Sequence, residues 1–343
     1  MSSAVTAPGA AAGGPSPGAS PAPDLLARLR MLAGPDPIRH VQRIPARPAR
    51  TADWPAWAPA ELVTALQGRG IARPWAHQIA VAEAAHAGRH VVVSTGTASG
   101  KSLGYQLPVL AGLLADGKAC ALYLAPTKAL AADQLETLES LALPGIRPAA
   151  YDGDTPLSDR DWARDYGRLI LTNPDMLHCG VLPAHTRWSR VLRRLAFVAV
   201  DECHAYRGVF GSHVALVLRR LRRMARFYGS EPVFVLASAT VADPAAAASR
   251  LVGSPVLAVT DDAAPHPGSD FVLWEPPLLP EPGRTGDTTA PGGQDDGDAD
   301  AASTADSAST ALAAAEHQPL RRSAPAEAAR ILADLVTAGS RTL

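Results

Sequence analysis

The sequence predicts an α/β fold, a mostly parallel sheet with helices on both faces. Three observations carry that expectation. Short β-branched runs alternate with segments of helical period from Trp54 to about Val259, the pattern of a sheet covered on both sides. A Gly/Ser-rich loop joins one apolar run to a helix. A later apolar run ends on two adjacent carboxylates, Asp201 and Glu202.

The elements follow in order. Residues 1–23 hold Ala, Gly, Pro and Ser with almost no large apolar side chain, so they cannot offset the entropy of ordering and are expected to be a disordered tail. An N-terminal extension, 24–69, leads into the main domain, 70–278. Strands are expected at His90–Ser94, Cys120–Ala125, Arg147–Tyr151, Arg168–Thr172, Leu195–Val200, Val233–Ala237 and Val256–Val259. The clearest helix runs from about Gly211 to Phe227, with Val214, Val217, Leu218, Leu221 and Ala225 on one face. Its arginines, Arg219, Arg222, Arg223 and Arg226, read first as a solvated face and second as a phosphate-contacting one. Residues 279–322 turn to Gly, Asp, Ala, Thr and Ser and are expected to be a disordered linker or insertion. Structure resumes at 323–343, where Pro325–Ala338 has helical character.

Composition bounds the function. With 343 residues and 47% hydrophobic content, the chain buries at least one full core. Met1–Pro23 lacks the basic start and leucine-rich run of a secretory signal, and no stretch is apolar for long enough to span a bilayer. A soluble cytoplasmic protein without a membrane partner is expected. Three cysteines, Cys120, Cys179 and Cys203, are too few and scattered for a disulfide framework or a four-ligand zinc site, and each is expected to be a buried small apolar residue. Net charge is −1, so any contact with nucleic acid must be local. Only Lys101, Lys118 and Lys128 are lysines, which draws attention to each.

Two motifs carry the chemistry. Thr95-Gly96-Thr97-Ala98-Ser99-Gly100-Lys101-Ser102 follows the strand His90–Ser94 and opens a helix. Small residues let backbone N–H groups close around phosphate oxygens, and the helix aims its positive end at them. Lys101 is expected to reach the β- and γ-phosphates of ATP, and the Ser102 hydroxyl to ligate Mg²⁺. The first position of the usual G-x-x-x-x-G-K-[ST] pattern is Thr95 here, a departure from it. Asp201 and Glu202 follow a parallel strand, which places them at the sheet's carboxyl edge, where open α/β sheets bind ligands. Asp201 is expected to hold Mg²⁺ through water, and Glu202 to orient and deprotonate an attacking water. A competing metal site from Cys203, His204, His178 and Cys179 is disfavoured, because neighbours on extended backbone point to opposite sides.

These residues resemble the first RecA-like domain of a DEAD/DEAH-box superfamily 2 helicase, over about residues 70 to 241. The second motif reads Asp201-Glu202-Cys203-His204. Gln78, in Arg73-Pro74-Trp75-Ala76-His77-Gln78, resembles the glutamine that reads adenine. Pro126-Thr127-Lys128-Ala129-Leu130, with Gln134, resembles the first strand-contacting motif, and Thr172-Asn173-Pro174-Asp175 the second. Ser238-Ala239-Thr240 resembles the motif coupling hydrolysis to movement, with His204 as its partner. A narrower resemblance, through His204–His213 and Tyr151–Thr155, is to the mitomycin-repair type of bacterial DNA helicase and its RecQ-like fungal relatives. It implies 3′ to 5′ movement on single-stranded or partly duplex DNA and a role in repair. The family adds a second RecA-like domain and a four-cysteine module. The chain is read as stopping before that second domain, which would act in cis or in trans, so that this polypeptide alone is expected to hydrolyse ATP barely. Two alternatives stand beside this reading, an RNA-remodelling DEAD-box ATPase and a truncated nucleotide-binding module without motor activity.

Overall fold

The computed structural model describes residues 25–33, 37–279 and 320–337. The expected tail at 1–23, nearly all of the 279–322 linker and residues 338–343 lie outside the described residues. The chain divides into two compact units, the larger comprising the described residues 46–267 and the smaller those before 46 and after 267.

The larger unit is built on seven strands. In chain order they are β1 (Val91–Ser94), β2 (Cys120–Leu124), β3 (Pro148–Ala150), β4 (Leu169–Thr172), β5 (Leu195–Val200), β6 (Val233–Ser238) and β7 (Leu257–Val259). Their order across the sheet is β3-β4-β2-β5-β6-β1-β7, and every neighbouring pair is parallel. All seven sequence-expected strands are present, and no end is shifted by more than one residue.

Alternation along each strand sends side chains to two cores. On one face Leu122, Ile170, Val198, Phe234 and Leu236 meet Leu218 and Leu221 of helix α1 (Gly208–Phe227). On the other Val93, Tyr123, Leu171, Ala199 and Val235 meet Leu107 and Leu110 of helix α2 (Lys101–Ala115). A strand buried on both sides has no polar face, which is why these runs are continuously apolar.

The arginines of α1 lie on a largely solvated face, as expected, and two of them also serve a neighbouring helix. Arg222 donates to the carbonyls of Val252 and Gly253 at 3.1 and 2.8 Å, and Arg219 to that of Arg250 at 2.9 Å. They cap the carboxyl end of the neighbouring helix Pro244–Val252. In the Arg187–Arg194 segment Trp188 and Arg190 turn inward, while Arg187, Arg193 and Arg194 stay exposed. Trp188 is buried edge-on against Tyr151, and Arg190 donates to the carbonyls of Arg164 and Gly167.

The smaller unit pairs Ile38–Ile44 antiparallel with Ser269–Trp274. The sequence gives no clear period-2 signal in the first of these, whose apolar residues fall at Ile38, Val41 and Ile44. The expected C-terminal helix is present as Ala324–Thr337, with Glu327 buried between Arg322 and Arg330 at 2.8 and 2.7 Å. No described helix is long and apolar enough to cross a membrane.

Candidate nucleotide site

Strand β1 delivers Thr95–Gly100 to the carboxyl edge of the sheet, and α2 begins at Lys101. Two residues of this loop have positive φ, Ala98 at 60° and Gly100 at 66°. At Gly100 a side chain is disfavoured for a second reason. A Cβ there would stand 2.7 Å from Gln78 Nε2 and 2.8 Å from the Trp75 ring. The position Thr95 has its own partner, because its hydroxyl lies 2.6 Å from that of Ser99, and both residues are buried. This cross-brace explains how Thr substitutes for the usual first glycine. Lys101 Nζ donates to the carbonyl of Gly96 at 2.9 Å and weakly to that of Thr95 at 3.4 Å.

Gln78 is placed beside the loop, with both ends of its amide engaged. Its Oε1 accepts from Trp75 N and its Nε2 donates to the Gly100 carbonyl, both at 2.8 Å. The residue next to it was not singled out from sequence. Buried His77 has Nε2 3.0 Å from the Ser99 carbonyl and Nδ1 3.2 Å from Ala263 N. The neutral imidazole protonated on Nε2 satisfies both contacts. Burial, opposed by Asp262, holds the His77 pKa below its ordinary value. Asp262 itself is pushed up by burial, yet bonds from Ala264 N and Arg47 keep it below the usual carboxylate range. A loop residue pinned by a distant histidine leaves no local sequence signal.

The carboxylates stand where the motif order implies. Asp201 Oδ2 accepts from Tyr123 Oη at 2.7 Å and Tyr105 Oη at 3.0 Å, and its Oδ1 from Glu202 N at 2.8 Å. Tyr105 and Tyr123 are held as phenols, their pKa values raised by burial first and by the neighbouring Asp201. Glu202 adopts φ 44°, a strained conformation for a residue with a side chain. Its Oε2 lies 3.1 Å from His204 Nδ1, to which Ala239 N is also directed at 3.1 Å. One ring nitrogen cannot donate to the carboxylate and accept from the amide at once. His204 therefore joins Glu202 to the Ser238–Thr240 segment through alternative hydrogen bonds, with Ser238 buried and Thr240 exposed.

Cys203 is part-buried beside Ser238, its thiol pushed up to about 12 chiefly by burial. Cys120 is buried, but Cys179 is exposed, which corrects the expectation for that residue. Among the described residues no group of three His, Cys, Asp or Glu side chains is placed to hold a metal. The expected donors, the Ser102 hydroxyl and the Asp201 carboxylate, are oxygens of the kind that suits a hard cation such as Mg²⁺.

The expected strand-contacting residues divide. Thr127 caps the helix Lys128–Ser140 and Asn173 the short turn Pro174–Met176, their side-chain oxygens accepting from Leu130 N and Met176 N. Lys128 is half exposed, paired with Asp154 at 2.5 Å. Pro126 is part-buried beside them, and Asp175 is exposed. Pro174 is buried, and Thr172 is buried with its hydroxyl donating to the Tyr151 carbonyl at 2.6 Å. That bond turns Thr172 inward, away from the surface position that contact with a strand requires.

A family model described as DEAD/DEAH box helicase matches residues 75–248. The chain is 42% identical over 255 residues to the uncharacterized ATP-dependent helicase YprA of Bacillus subtilis, covering 73% of this chain and 34% of that protein. It is 40% identical to the ATP-dependent helicase hrq1 of Schizosaccharomyces pombe over 64% of this chain and 21% of the other. It superposes on the DUF1998 helicase MrfA bound to DNA and AMPPNP with a TM-score of 0.76 and 36% identity, over 91% of this chain and 39% of that one. The chain thus spans about a third or less of the length of the curated relatives it matches.

Proposed function

Since the chain belongs to the DEAD/DEAH box helicase family, we propose that it supplies the nucleotide-binding half of an ATP-driven 3′ to 5′ DNA translocase acting in repair. The observation that carries this is the delivery of the phosphate loop, after β1, and of the carboxylate pair, after β5, to the same edge of one parallel sheet. Similarity to MrfA, solved with DNA and AMPPNP, favours DNA over the RNA of DEAD-box remodellers.

In this proposal Lys101 leaves the Gly96 carbonyl for the β- and γ-phosphoryl oxygens, and Gln78 adds recognition of adenine with the donor and acceptor capacity its two bonds leave free. Ser102 and Asp201 hold Mg²⁺, which neutralises charge on the phosphates when bound. Glu202 orients the attacking water and takes its proton. His204 exchanges its Nδ1 partner between Glu202 and Ala239, which links the water-activating carboxylate to Ser238 and Thr240. Thr127, Lys128 and Asn173 contact phosphates of one strand, a mode carrying little sequence information. The Lys128–Asp154 pair is exposed and worth about 1 kcal/mol or less, so a phosphate displaces Asp154 readily. Arginines from a second RecA-like domain, in cis or in trans, stabilise the transferring phosphoryl group.

The test is ATPase stimulation, measured with this chain joined to such a second domain. Single-stranded DNA stimulates turnover and RNA of the same length does so less. Preference for RNA sinks the DNA assignment.

A further inference from the structure

The amino edge of the sheet, opposite the phosphate loop, carries a row of cations. Four strands adjacent in the sheet, in the order β3-β4-β2-β5, are each preceded within two residues by a basic one. In that order the residues are Arg147, Arg168, Lys118 and Arg194. Neighbouring strands lie about 4.8 Å apart, so the row crosses roughly 14 Å. It ends at β6, which Glu231 and Pro232 precede. All four line one open cavity of about 270 Å³, together with Arg190 and Tyr166.

Charge at this edge is unevenly balanced. Buried Arg168 donates to the carbonyls of Leu113 and Asp116 at 2.5 and 2.6 Å, at the end of α2. Arg190 donates to those of Arg164 and Gly167, at the end of the helix Leu157–Tyr166. Each of these two cations thus faces the negative end of a helix dipole, equivalent to about half a charge. Lys118, Arg147 and Arg194 are exposed, and among the described residues none of them has an ion-pair partner. Asp165 is held through both oxygens by Arg164, at 2.8 and 3.0 Å, and Asp116 accepts from the Lys118 amide at 2.8 Å. That leaves Asp116 against three free cations. Tyr166 and Trp162 stand beside them, 57% and 44% exposed, with ring centroids 6.4 Å apart.

We propose that this edge is a second contact for single-stranded nucleic acid, in which Lys118, Arg147 and Arg194 hold successive phosphates and Tyr166 and Trp162 take a base. A row of cations suits a linear polyanion, and a basic groove flanked by exposed rings binds single strands without reading their sequence. The site lies beyond the function proposed above, whose strand-contacting residues Thr127, Lys128 and Asn173 follow β2 and β4 at the other edge of the sheet. It also gives a place to Lys118, the one lysine that the nucleotide and strand motifs leave without a role.

The experiment is fluorescence anisotropy of a labelled oligodeoxythymidylate with the 343-residue chain, without nucleotide, across a salt series. Each phosphate contact on a single strand contributes about 0.7 to the slope of log affinity against log salt. The triple variant Lys118→Gln, Arg147→Gln, Arg194→Gln is expected to lower that slope by about 2 and to weaken binding about tenfold or more, with binding of a fluorescent ATP analogue unchanged. Tyr166→Ala is expected to weaken binding about fivefold at an unchanged slope. Lys128→Ala tests the opposite edge separately. Loss in Lys128→Ala with none in the triple variant overturns this inference and keeps the strand contacts proposed above; the converse result supports it and removes those contacts. A wild-type chain that does not bind the oligonucleotide overturns both. An equal loss of analogue binding in the triple variant marks a general disturbance and overturns the inference. So does a triple variant that loses calorimetric binding of inorganic pyrophosphate but not of the oligonucleotide, which marks a small-anion site.

Discussion

Single residues divide into those proposed to meet the nucleotide and those that hold them in place. Lys101 contacts only loop carbonyls through its ammonium, so Lys101→Ala costs little fold stability and abolishes nucleotide binding, which titration of the analogue measures. Glu202→Gln keeps the shape of the side chain but removes the base. Joined to a second motor domain, this variant binds ATP with undiminished affinity and shows no steady-state turnover; normal turnover refutes the assigned role. His77 yields a pH dependence. Burial keeps its imidazole neutral in the fold, with a pKa below that of the unfolded chain. The stability it contributes is therefore complete above about pH 6.5 and falls as pH drops through and below that value. His90 is shifted the same way, also by burial. Replacing His77 with Asn is expected to flatten part of the acid-side decline in melting temperature, and an unaltered slope contradicts the neutral assignment.

At the level of elements, the strands were legible because a parallel sheet buried on both faces leaves no polar alternation to misread. The phosphate loop and the Asp201-Glu202 pair were legible because their chemistry depends on consecutive residues. What escaped detection depends on partners far apart in sequence. His77 bridges Ser99 and Ala263, and Arg219 and Arg222 of α1 reach the carbonyl end of another helix, which no periodicity records. Thr172 was misplaced for a similar reason, since its hydroxyl is taken by Tyr151, twenty-one positions away. The arginine contacts are measurable. Arg222→Ala removes two hydrogen bonds to the end of the Pro244–Val252 helix and is expected to cost about 1–2 kcal/mol in urea unfolding, without altering nucleotide affinity.

For the whole molecule, the order of strands sets the order of assembly. The strand feeding the phosphate loop, β1, pairs with β6 on one side and β7 on the other, so both neighbours lie more than a hundred residues downstream. Ala263, which fixes His77, comes later still. As the polypeptide leaves the ribosome, the loop is made early but has no sheet to stand in until nearly the whole larger unit has followed. Such distant pairings are slow to close and leave apolar strands uncovered in the interval. Nascent chains stalled before Val233 should bind no nucleotide and should need chaperone protection. Those extended past Ala264 should acquire binding in a single step.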